Sequence, residues 1–233
     1  MTRTLATDDQ KAAITATFQS QFGTSAADAL GRMTYVDRVY ELRCLVALVD
    51  GLRERRSSLK FTLSGGPGLT LRSKGGPIDR QTDAYVEVRD GPGPVLAEIW
   101  SNVEFWSLSH VYSDGPTPSG PTPSGPTYAR AHELDLVLLK PKLGGRPKPA
   151  AILIGVEAKH RPYGKALLKE LLGVRREMAL RHAPAPNRWE WWSDGGLPVA
   201  PTSGLIAWCS EPSIQNYNQA ADFYGILMEH LPL

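Results

Sequence analysis

The chain has only two cysteines, Cys44 and Cys209, far apart in the sequence. That count excludes a disulfide framework and a cysteine-rich zinc site, and each cysteine reads as a small buried apolar residue. Long hydrophobic runs are also missing. None approaches the roughly 20 residues needed to span a bilayer. The opening MTRTLATDDQ has no apolar core of a secretory leader, so the expected location is the cytoplasm, with no membrane partner. There is no excess of one charge sign: 26 basic and 24 acidic residues leave a net +2 at pH 7. A histone-like tail is excluded by that balance, but a locally charged surface is not. No GxGxxG follows a strand, and there is no Walker lysine loop, GxSxG elbow or HExxH helix. Dinucleotide, NTPase, serine-hydrolase and zinc-protease chemistry therefore lack support.

What is present fits a folded domain. Apolar residues make up 42% and charged residues 21%, the balance of a globular chain rather than a disordered one. A length of 233 residues allows one large domain or two small ones. The 22 glycines and 19 prolines predict long loops around the core.

Residues 1–34 read as a polar, helical N-terminal extension, with a helix around 9–22 and capping chemistry at Thr7, Asp8 and Asp9. The main domain is expected over 35–233. It opens with the first strong helix, 35–56, where Leu42, Leu45, Leu48, Val49 and Leu52 recur at helical spacing. Arg53, Arg55 and Arg56 suit its C-terminal end. Between 59 and 110, the segments LKFTL, GLTLRS, AYVEVRD and PVLAEIW predict antiparallel strands with tight turns, and the stretch after Ser101 fits a strand or a short helix. GPTPSGPTPSGPT, at 115–127, has nothing large and apolar to bury and reads as a flexible surface loop inserted in the domain.

HELDLVLLK at 132–140 alternates as a strand does, and AAILIGVEAK at 150–159 is the continuous apolar run of a strand covered on both faces. A helix is expected over 163–182, with Leu167, Leu171, Val174 and Met178 as its apolar stripe. Gly173 costs that helix roughly 1 kcal/mol relative to Ala, and a close packing contact is the expected reason. GLIAWCS reads as a buried strand, and 218–230 as a closing helix.

Side chains at i and i+2 share a face of a strand. Glu133 and Asp135 therefore fall with Val137 and Leu139, while Leu134, Leu136 and Leu138 take the other face. In the next strand Glu157 and Lys159 share a face, opposite Val156 and Ala158. If the two strands pair, three carboxylates and one amine converge at the edge of the core. Such a cluster needs raised pKa values, the lysine, or a hard cation to neutralise it. Oxygen ligands without His or Cys select Mg²⁺ or Mn²⁺ over zinc.

Asp135, then 21 residues, then Glu157-Ala158-Lys159 resembles the D…ExK signature of the PD-(D/E)xK nuclease superfamily, the restriction-endonuclease-like fold. The helix after the ExK strand, with its basic face, and the strand and helix beyond it fit the same order of elements. The family's proline before the aspartate is replaced by Leu134. The resemblance implies an α/β fold with a mixed central sheet flanked by helices, and a Mg²⁺- or Mn²⁺-dependent endonuclease acting on DNA in restriction, phage defence or repair. Asp135 and Glu157 would hold the metal, with the Ala158 carbonyl and Glu133 as further ligands, and Lys159 would act on the attacking water. Many relatives add a glutamate from the first core helix, and Glu41 matches that role; otherwise Glu41 pairs with an arginine such as Arg38. Glu98 is a weaker candidate, otherwise an outward strand position. His160, Arg161, Lys165, Lys169 and Arg176 would contact nucleic acid. Cutting both strands of a duplex implies a homodimer or an assembly with a partner subunit. A degenerate, non-cutting module that binds nucleic acid or protein is the alternative.

His132 and His160 fit strand-end solvent positions as well as metal or phosphate contacts. Trp189, Trp191 and Trp192 fit a loop packed on the core, or base stacking. Segmenting the charge sharpens the picture. Residues 140–181 hold eleven basic and three acidic residues, a net +8, and the rest of the chain carries −6. A basic zone thus surrounds the carboxylates, as expected of a protein that grips a phosphate backbone.

Overall fold

The strongest helical pattern in the sequence forms α2, Val36–Arg55, which buries Leu42, Leu45, Leu48 and Val49 along one side. The computed structural model of the protein describes residues 4–65, 68–113, 130–178, 180–181, 198–199 and 203–233. Ahead of α2 stands α1, Asp8–Phe22, opened by a capping box in which the Gln10 N–H donates to the Thr7 hydroxyl and the Thr7 N–H to the Gln10 side chain. Ile14 and Phe18 of α1 enter the same apolar cluster as the buried side of α2.

The strands are β1 (Leu59–Ser64), β2 (Thr70–Leu71), β3 (Asp83–Asp90), β4 (Val95–Trp106), β5 (Ala131–Leu139), β6 (Ile152–Lys159), β7 (Leu180–Arg181), β8 (Pro198–Val199), β9 (Gly204–Cys209) and β10 (Ile226–His230). Eight of them form one mixed sheet in the order β1-β3-β4-β5-β6-β9-β10, with β2 beside β3; β7 and β8 pair separately. The pairs from β1–β3 through β5–β6 are antiparallel, whereas β6–β9 and β9–β10 are parallel. Between β6 and β9 the chain forms α4, Lys165–Glu177. Leu167, Leu171 and Val174 of α4 cover one face of the sheet together with Ile214 and with Ala221 of α5 (Asn218–Asp222). α1 and α2 cover the other face. The chain is thus α/β, with a mixed sheet between helical layers. Cys44 and Cys209 are both buried free thiols. Among the described residues no helix is long and apolar enough to cross a membrane.

Several expectations are corrected. Residues 218–230 do not form one helix: α5 stops at Asp222, Gly225 turns the chain at φ +65°, and β10 follows. Ile226 and Met228 are buried and Leu227 and Glu229 are not, the period of a strand, and the free edge of β9 supplies its partner. The helix expected over 163–182 ends at Glu177, and Leu180–Arg181 is extended. GLTLRS contributes only the two residues of β2, and these run parallel to β3. The stretch after Ser101 is both strand and helix, since β4 continues to Trp106 and α3 occupies Leu108–Ser113. Among the described residues, a Cβ on Gly173 would meet nothing within 4 Å, so no packing contact there accounts for that glycine. The 115–127 loop and Trp189, Trp191 and Trp192 lie outside the described residues.

Glu98 is neither outward nor part of a cluster with Asp135. It stands opposite Leu139, at the far end of β5, and is 1% exposed. Its carboxylate pairs with Arg80 and accepts the Trp100 indole N–H at 3.1 Å and the Lys142 N–H at 3.0 Å. Buried charge is tolerated there because every partner is in place. Glu98→Ala strands all three donors and is expected to lower stability by about 3 kcal/mol; urea unfolding checks this, and a loss below about 1 kcal/mol would mean the pair is not structural.

Candidate active site

Antiparallel pairing sets the start of β5 beside the end of β6. The ladder between them closes at Leu136–Val156. Beyond it, two residues after Val156, the Ala158 N–H donates not to a carbonyl of β5 but to Asp135 Oδ2, at 2.7 Å. A paired kink lies beside this bond. Trp100 and Val103 of β4 are three residues apart yet lie in the same cluster, and so do Val137 and Leu134, their register partners on β5. Strict alternation would put each pair on opposite faces. The expectation that Leu134 shares a face with Leu136 and Leu138 therefore fails: Leu134 packs on the α4 side. Asn102, at φ +51°, lies within the kinked stretch of β4. A left-handed asparagine in a strand locally re-aims neighbouring side chains, as a bulge does.

Asp135 is thereby joined by the ExK residues. Lys159 Nζ donates to Glu157 Oε2 at 2.7 Å and to Asp135 Oδ2 at 3.4 Å. Alternation carries Glu157 and Lys159 to the α4 side, and α4 returns over them. Between helix and strands is a cleft of about 360 Å³, with His132, Glu133, Asp135, Glu157 and Lys159 on the strand wall and Glu170, Gly173 and Val174 on the helix wall.

Charge in the cleft is strongly coupled. Burial, then the Asp135 carboxylate, pushes the Glu157 carboxyl up to about 8 against the pull of Lys159, and Glu170 adds to the rise. For Lys159, burial disfavours the ammonium, but Glu157 and Asp135 outweigh it and hold the pKa above the usual lysine value. Burial followed by the charges of Asp135 and Glu104 raises Glu133 as well. Glu133 rests against Gly75, where a Cβ would require its carboxylate to move.

Hard-cation chemistry fits this donor set. Asp135 and Glu157 offer two adjoining carboxylates, and the demand for positive charge exceeds what Lys159 supplies. Among the described residues no three His, Cys, Asp or Glu side chains group as a full cage. Mg²⁺ needs no such cage, because it keeps several waters and takes one or two carboxylates.

The other candidates are distributed differently. Glu41, on α2, accepts from Arg38 at 3.0 Å and from Asn102 Nδ2 at 3.3 Å, while Arg38 also donates to the Leu71 carbonyl at 2.8 Å. Glu41 thus has the arginine partner considered above, yet Asn102 ties it to the kink; burial raises its pKa, with the Asp135 charge adding to the rise. His160 falls on the opposite side of β6, its ring 5.7 Å from that of Tyr40, and does not line the cleft. Arg161 is exposed on the loop before α4, and Lys165, Lys169 and Arg176 are exposed along the helix. Glu170 escaped the sequence reading, which notes the helical cost of Gly173 without assigning it to the cleft. The signal for Glu170 is its place three residues after Leu167 and four before Val174, both on the buried stripe. Compared with known proteins, the chain matches no family model, no curated protein and no solved structure.

The raised Glu157 pKa has a consequence for stability. Its folded value lies above the ordinary 4.5, so the native state binds more protons than the unfolded chain between pH 4.5 and about 8. Stability then falls as pH rises through that window. Without divalent cations, wild type is expected to lose more stability across it than Glu157→Gln in thermal unfolding; parallel pH profiles would contradict the assignment.

Proposed function

We propose that the protein is a Mg²⁺- or Mn²⁺-dependent nuclease of the PD-(D/E)xK type, on a restriction-endonuclease-like fold, hydrolysing phosphodiester bonds in DNA. The observation that supports this best is the meeting of Asp135, Glu157 and Lys159 from two neighbouring strands, within 2.7 and 3.4 Å, in one open cleft. Asp135 and Glu157, with the Ala158 carbonyl and Glu133 as further candidates, would hold the cation. Once bound, such a cation lowers the pKa of a water and offsets phosphate charge.

The chain's own residues supply the rest. Lys159 keeps its proton and sets an ammonium beside the reacting phosphate, where it stabilises the charge that develops on the phosphorane oxygens. The Ala158 N–H fixes the Asp135 carboxylate, so one of its oxygens is already oriented. Arg38 and Asn102 hold Glu41 behind the kink, giving it a supporting place. Lys165, Lys169 and Arg176 add the local positive charge that a phosphate backbone requires. With one site per chain, cutting a duplex through both strands calls for two copies.

One observation favours a second reading, a non-cutting module that binds nucleic acid or a partner subunit. Lys159 already bridges both carboxylates, as in a self-contained ion network.

The two readings separate in a cleavage assay with plasmid, single-stranded DNA and RNA, with Mg²⁺, with Mn²⁺ and with chelator. Metal-dependent cleavage is expected, reduced at least about a hundredfold by Asp135→Ala and by Lys159→Ala. Cleavage that survives both substitutions would refute the site, and no cleavage of any substrate would favour the non-cutting module.

A further inference from the structure

Gly173 is out of place by every local criterion. It lies inside α4, where glycine is the least favourable residue after proline. Its φ is not in the left-handed region, so the helix does not require glycine there. Among the described residues, a Cβ at this position would meet nothing within 4 Å, so none of the described elements requires glycine there. Gly173 is exposed, and it forms part of the helix wall of the cleft that holds Asp135, Glu157 and Lys159.

An exposed glycine on a cleft wall permits the close approach of a ligand to the helix. Lys169 lies one turn before Gly173 and Arg176 one turn after, both exposed, and Glu170 and Glu177 adjoin it at the complementary spacings. Within the cleft, by contrast, Glu133, Asp135, Glu157 and Glu170 are acidic. Only a ligand that spans both environments uses the two together: a chain of phosphates, gripped by the basic ridge and presenting one linkage to the carboxylates.

We propose that Gly173 is the gap through which a nucleic-acid backbone crosses α4 to reach the site, between Lys169 and Arg176. This rests on the nuclease reading above and adds the path of the substrate and a residue that controls it. The missing side chain sets the width of the entrance, so size at position 173 selects against strand entry without touching the fold.

Binding and cleavage test this with Gly173→Ala and Gly173→Leu, and with Gly173→Gln as a second bulky helix-former. Anisotropy of labelled single-stranded and duplex oligonucleotides, with Ca²⁺ in place of Mg²⁺, reads binding; plasmid and single-stranded DNA with Mg²⁺ read cleavage; thermal unfolding reads the fold. Gly173→Ala is expected to raise Tm by about 2 °C and to keep most of the binding. Gly173→Leu and Gly173→Gln are expected to melt no lower than wild type and to lose about tenfold or more in affinity and in cleavage. Wild-type affinity and cleavage in both bulky variants would overturn the gap while leaving the nuclease reading intact. A lower Tm for Gly173→Ala would overturn it too, by showing a packing need. A wild-type chain that neither binds nor cuts nucleic acid would remove the nuclease reading, and this inference with it.

Discussion

At the outer end of the β5–β6 ladder a carboxylate replaces a carbonyl. Asp135 Oδ2 takes the Ala158 N–H, and the strands are held together by a side chain where backbone pairing has stopped. A paired kink at the level of Asn102, which turns Leu134 to the α4 side, lies beside this contact. The Asp135 contact also fixes the rest of the site. With Asp135 against β6, the Lys159 ammonium lies within reach of two carboxylates, and Glu157 is confined in a buried position with too little positive charge around it.

The electrostatic layout has two scales. Locally, the cleft is acidic and repels phosphate unless a cation intervenes. Around it, exposed Lys165, Lys169 and Arg176 on α4 form a basic ridge. The near-neutral total charge of +2 conceals both. On the proposed reading, a polyanion would be drawn to the ridge and admitted to the cleft only with a hard cation, which would make binding and metal requirement separable properties of one surface.

What the sequence revealed and what it hid follow from range. Helical spacing in α2 and alternation in β5 and β6 are local patterns, so those elements and the shared face of Glu157 and Lys159 were legible. The position of Leu134 was not, because the kink involves residues of two strands at once. β10 looked helical, since its strand character comes from the free edge of β9. Glu98 looked outward because its partner Arg80 arrives from a loop that no periodicity places. For Gly173 the helical penalty was visible, but the open space beside it is a property of the assembled cleft. Glu170 was legible by spacing, yet its importance depends on which way α4 lies over the sheet.

The central claim is that Asp135 and Glu157 together form one divalent-cation site, and calorimetric titration of Mn²⁺ into the nucleic-acid-free protein tests it most directly. The account predicts a single binding event per chain, abolished by Asp135→Asn and by Glu157→Gln while both variants stay folded. Unchanged Mn²⁺ binding in either variant, or none in wild type, would contradict it.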